Sequence, residues 1–98
     1  MEQQDQMIDE TVVDCGVSLD ISQAAALHAR LTQLLTAGIP IIFNGREVQR
    51  VDTAMLQLLT AFFRAARAQG MTVAWREPSD ILCHCSRLLG LSEELMLA

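Results

Sequence analysis

With 98 residues the chain has the length of one domain, and a domain of that size buries roughly two-thirds of the surface its unfolded form exposes. A composition of 51% hydrophobic and 19% charged residues is the balance of a compact globular fold; it excludes a disordered chain and gives a single domain over residues 1–98. The net charge is −5 and all seven cations are arginines, scattered without a basic run, which argues against nucleic acid and anionic membrane surfaces as partners.

The chain opens on a polar, acidic lead over residues 1–10 that is expected to fray; a signal peptide there would be basic and then apolar. No stretch reaches the roughly 20 apolar residues of a membrane span, so the expected location is the cytoplasm. Three cysteines, an odd number in a reducing compartment, argue against a disulfide framework. The Thr-Val-Val of Thr11–Asp14 predicts an edge strand, and a second short apolar stretch follows Gly16 over residues 17–21. Ser22 is placed as the N-cap of a helix in which Ala24, Leu27, Leu31, Leu34 and Leu35 recur at helical spacing until Gly38 stops it.

Residues 39–43, Ile-Pro-Ile-Ile-Phe, read as a buried strand that begins on a proline and ends at the Asn44-Gly45 turn pair. Residues 46–51 lead into Asp52-Thr53, and residues 54–69 are helical by composition, closed by Gly70 where a left-handed cap belongs. Residues 71–76 alternate as a strand does, after which Pro78-Ser79-Asp80 opens a helix that ends at Leu89-Gly90. Strands and helices in alternation predict right-handed crossovers, parallel pairing among the inner strands and helices packed on the sheet.

The helix over residues 54–69 carries two apolar stripes side by side. Leu56, Leu59, Phe63 and Ala66 make one, and together with Leu88 of the last helix they are expected to face the sheet. Met55, Leu58, Phe62 and Ala65 make the other, which either covers a neighbouring helix or stays open as a docking patch.

Chemistry is hard to assemble from these residues. A phosphate-binding loop needs a lysine, and the chain has none. Cys83-His84-Cys85 has the residue types of a metal cluster, yet helix neighbours one and two apart point in different directions and cannot converge on one ion. Cys85 instead lies three and four residues from Leu82, Leu88 and Leu89, the spacing of a core cysteine. His28 reads as a helix-surface residue, Trp75 as packing and Glu93-Glu94 as a solvated face. With no nucleophile, base and oxyanion donors to bring together, the expectation is a protein that is not an enzyme, with no cofactor and no metal.

Asp52-Thr53 stands at the start of the most apolar helix and admits two roles. Either residue serves as a helix cap, its side-chain oxygen satisfying a first-turn N–H for about 1 kcal/mol. The same place suits a phosphorylation switch, because a helix N-terminus welcomes a phosphate and the phosphate brings close to two negative charges.

At these residues the sequence becomes similar to a known family. Val48-Gln49-Arg50-Val51-Asp52-Thr53-Ala54-Met55-Leu56 resembles the V-x-x-[VI]-D-[ST]-x-G-L signature of STAS domains, and Leu19-Asp20-Ile21 resembles the family's LDI before its first helix. Gly70 followed by a strand, then Pro78-Ser79, Leu82 and Leu88-Leu89-Gly90-Leu91, is similar to its closing pattern, so that the resemblance spans roughly residues 11–97. It implies an α/β fold with a mixed central sheet of four to five strands and helices packed mainly on one face.

The resemblance also implies a non-enzymatic role in protein interaction. In the anti-sigma-factor-antagonist branch the residue after the motif's aspartate, here Thr53, is phosphorylated by a serine kinase that doubles as an anti-sigma factor and binds only the unmodified form. In a second branch, the small cytoplasmic STAS subunit of bacterial phospholipid ABC transporters that maintain lipid asymmetry, the same position sits against the ATPase subunit. Met55 stands where the motif has glycine and is expected to obstruct a partner or fill a different pocket; Asn44 replaces the aspartate usual at the end of the central strand. The expected partner surface is therefore Asp20, Asn44, Arg46, Arg50, Asp52 and Met55 around a switch at Thr53, together with the open stripe of its helix.

Overall fold

The computed structural model describes residues 10–97, so the lead expected to fray lies, but for Glu10, outside the described residues. The elements run β1 (Thr11–Asp14), β2 (Ser18–Leu19), a 3-10 turn (Ile21–Gln23), α1 (Ala24–Ala37), β3 (Ile41–Asn44), β4 (Arg50–Val51), α2 (Thr53–Ala68), β5 (Val73–Arg76) and α3 (Asp80–Leu88). The main sheet has the order β1-β3-β5, with Thr11, Ile41 and Val73 in register at one end and Asp14, Asn44 and Arg76 at the other. β1 takes the edge, as its sequence predicts.

The expected mixed sheet of four to five strands is, among the described residues, five strands divided three and two, with every pairing parallel. The cause is the connections: β1 to β3 and β3 to β5 each run through a helix, the crossover that parallel pairing requires. β2 and β4 are two residues each and pair only with one another.

Strand alternation sorts the residues into two faces. Val13, Ile41, Phe43 and Val73 are buried in one core with Leu31 of α1, Leu56, Leu59 and Phe63 of α2 and Leu82 of α3, which puts the helices on one side. Val12, Ile42 and Ala74 point to the opposite face and are half-buried or exposed. The centre of the core is aromatic: Phe43 stacks on Phe63 with ring centroids 5.5 Å apart, meets Phe62 edge-on at 5.9 Å and leans on Trp75 at 5.2 Å.

Ser22 does not cap α1. Asp20 opens the 3-10 turn instead, its Oδ1 accepting the Ser22 amide hydrogen at 2.9 Å, because a short carboxylate reaches an amide two residues on. α1 starts behind that turn at Ala24 and ends on Gly38 with φ 71°, a left-handed C-cap that a residue without Cβ adopts freely. In α2 the first stripe is buried as expected, and so are Met55 and Phe62 of the second. Leu58 and Ala65 are half-buried and line an apolar cleft against α1 with Leu31 and Leu35, so the second stripe is turned toward a neighbouring helix with a groove left between the two.

α3 is capped by Ser79, whose Oγ accepts the Leu82 amide hydrogen at 3.1 Å. Leu88 does not face the sheet: it is 72% exposed. Leu82 and Ser86, one turn apart, fill the inward face of α3, and two residues past Ser86 the helix has turned to the opposite side. Beyond α3 the chain folds back over the sheet edge. Leu95 is fully buried and its carbonyl accepts the Trp75 indole N–H at 2.7 Å. Glu93 is exposed, but Glu94 is not simply solvated: its Oε2 accepts from Arg64 Nε at 2.6 Å, and that bond holds its carboxyl below the ordinary range.

Candidate functional site at the head of the second helix

In a parallel sheet the loops that leave the carboxyl ends of the strands gather on one side, and binding sites collect there. Here β3 ends at Asn44, and the loop that follows climbs through β4 to Asp52 and Thr53, the start of α2. Thr53 is exposed. It stands on the lip of an apolar groove of about 140 Å³ formed with Val51, Leu56, Cys85, Leu88 and Leu89. The far wall is open to water, with Leu88 72% and Leu89 43% exposed.

Around this groove the expected residues separate into two groups. Asp20, Arg50 and Asp52 join Thr53 at the head of α2. Asp52 is half-buried, and its Oδ2 accepts the Ile21 amide hydrogen at 2.7 Å, so its side chain makes no cap on α2. The Asp20 carboxyl is held below its ordinary value by the Ser22 amide, with Arg50 adding to the effect, so it is an anion at neutral pH. Ile21, 54% exposed, stands on the same turn.

Asn44 and Arg46 form the second group. Asn44 Oδ1 accepts the Arg46 amide hydrogen at 3.1 Å, and the Arg46 guanidinium lies 3.8 Å from Glu77 in the loop after β5. Gly45 between them carries the loop past the start of α3, its carbonyl accepting from the Ser79 amide at 3.0 Å. Met55 belongs to neither group. It is fully buried in the core and cannot touch a partner, because its position, one turn before Leu59 and two before Phe62, is on the inward face of α2.

Cys85 is half-buried and packs against the core while lining the groove. Cys15, beside β1, is chemically muted: burial, with the Asp14 carboxylate adding, pushes its thiol up to about 12. His28 is exposed on α1, as its sequence position predicts. Among the described residues no group of three or more His, Cys, Asp and Glu is placed to hold a metal ion, and no helix is long and apolar enough to cross a membrane.

The exposed apolar residues Ile21, Leu88 and Leu89 were not among the expected site residues. The signal for Leu88 was its place on α3, off the inward face defined by Leu82 and Ser86; Ile21 was marked only as part of the Leu19-Asp20-Ile21 motif, which says nothing of its exposure. What the arrangement offers is recognition: a neutral hydroxyl between an apolar trough and a cluster of fixed charges.

No curated protein matches the sequence. The fold is similar to that of the anti-sigma factor antagonist SpoIIAA in its unphosphorylated form, with a TM-score of 0.73 and 20% identity over 86% of this chain and 76% of that one. The family described as "Mlab, STAS domain" matches residues 3–98. Nearly the whole chain thus carries the family's sequence pattern, on the fold the motif implies and with Asp52-Thr53 at the head of α2, and the protein belongs to the STAS domain family.

Proposed function

We propose that this chain is a cytoplasmic, non-enzymatic docking module of a bacterial signalling system, of the anti-sigma-factor-antagonist kind, whose partner is a serine kinase that phosphorylates Thr53. The observation that carries the reading is Thr53 itself, exposed on the lip of an apolar groove whose opposite wall is the exposed Leu88 and Leu89. An unmodified threonine leaves that trough neutral for an apolar side chain of the partner. A phosphate there adds close to two negative charges, and an apolar group entering the groove then meets a strongly hydrated neighbour. Asp20 and Asp52 on the same side increase the repulsion of an acidic partner surface. The burial of Met55 also supports this reading, since its side chain leaves the approach to the helix head clear.

The test is capture from the native cell with wild type, Thr53→Ala and Thr53→Glu, alongside mass spectrometry of Thr53 in the native protein. The expected result is one ATP-binding kinase held by wild type and Thr53→Ala and lost by Thr53→Glu. Equal capture of the same protein by all three refutes the switch. If the protein held is an ABC ATPase, the chain is instead the accessory subunit of a phospholipid transporter.

A further inference from the structure

Asp52 has the extended backbone of an N-cap, with φ −84° and ψ 138°, yet its carboxylate makes no cap bond. The carboxylate reaches across 31 residues of sequence to the Ile21 amide, 2.7 Å away. A second bond closes the same junction, from the Asp52 amide to the Leu19 carbonyl at 2.9 Å. The Ile21 turn is thereby fastened to the residue that precedes Thr53, and α2 gives up a side-chain cap to keep it there. Ile21 itself is not buried by this arrangement but is held out at 54% exposure.

We infer that Asp52 is a positioning residue: it latches the Ile21 turn to the head of α2, so that Ile21 is presented with Thr53, Leu88 and Leu89 to a partner protein with an apolar counter-surface. The inference rests on the docking reading above and goes beyond it, because it assigns the motif aspartate a role that is neither capping nor contact.

Three variants separate the roles. Asp52→Asn keeps an oxygen acceptor of the same reach; Asp52→Ser is a good cap whose side chain is too short for Ile21; Asp52→Ala lacks both. Amide hydrogen exchange at Ile21, followed by NMR on each purified protein, is expected to quicken by about tenfold or more in Asp52→Ala and Asp52→Ser and to stay within about threefold of wild type in Asp52→Asn. Affinity for the protein that wild type captures is expected to fall by about tenfold in Asp52→Ser, as in Ile21→Ser, and to return in Asp52→Asn. Unchanged exchange at Ile21 in Asp52→Ala overturns the latch, and undiminished capture by Asp52→Ser despite faster exchange overturns the positioning role. If wild type captures nothing, the docking reading fails, and the positioning role fails with it whatever the Ile21 amide shows.

Discussion

Replacing Gly45 by alanine tests how tightly the loop that leads to the site is held. A Cβ there meets Leu82 Cδ2 at 2.9 Å and the Trp75 ring at 3.2 and 3.3 Å, against a carbon–carbon optimum of about 3.5–4.0 Å. Neither neighbour gives way easily: Leu82 is fully buried, and Trp75 is tied through its indole N–H to Leu95. The backbone of Gly45 does not have a left-handed φ, so the whole effect is steric. Overpacking of this kind costs about 1–3 kcal/mol, a large share of the roughly 5–15 kcal/mol that holds a domain this long together. Each kcal/mol lowers Tm by about 4–8 °C in a domain of 60–100 residues.

Urea melts of Gly45→Ala, Leu82→Ala and the double variant provide the assay. Leu82→Ala alone is expected to cost about 2–5 kcal/mol through lost burial and a cavity. In that background the new methyl has room, and the Gly45→Ala increment should shrink by about 1 kcal/mol or more. A Gly45→Ala protein that melts with wild type, or two costs that simply add, would refute the reasoning.

Leu59→Ala and Phe63→Ala should each cost about 2–5 kcal/mol because both side chains are enclosed in the core, whereas Leu88→Ala, at 72% exposure, should change stability by less than about 0.5 kcal/mol; denaturant melts read both. Cys15 should label slowest of the three thiols, since a value of about 12 in place of 9.0 lowers its thiolate population about a thousandfold at neutral pH. The same shift favours the protonated thiol in the fold, so its contribution is complete below pH 9.0 and is lost as pH rises toward about 12. Melts of wild type and Cys15→Ser across that range should converge at the alkaline end.

The parts of the fold written in local chemistry were legible. Gly38, Gly70 and Gly90 all take left-handed φ values of 71–73°, and each ends a helix where the sequence placed the stop. β1, β3 and β5 carry enough β-branched and aromatic residues in alternation to stand out, but β4 is two residues long and its pairing with β2 leaves no period to detect. Thr53 was legible as a helix start because Asp52-Thr53 are cap residue types directly before a strongly apolar helical run. Met55 stands where the motif has glycine, but periodicity decides its burial: four residues before Leu59 and seven before Phe62, it falls on the inward face of α2. Ile21 and Glu94 were out of reach, since their partners Asp52 and Arg64 lie about thirty residues away and no short-range pattern joins them.

The strand order fixes the sequence of events as the chain leaves the ribosome. β3 is central, yet one of its neighbours is made about thirty residues earlier and the other about thirty later. When β1, α1 and β3 have emerged, the Ile41 and Phe43 face has no cover from α2, and the β5 side of β3 is an open edge. Phe43 acquires its stacking partners Phe63 and Trp75 only from the second half of the chain. A nascent chain paused before β5 therefore presents a sticky strand to its neighbours on the polysome, and synonymous codons that slow translation between α2 and β5 should raise aggregation without altering a single residue.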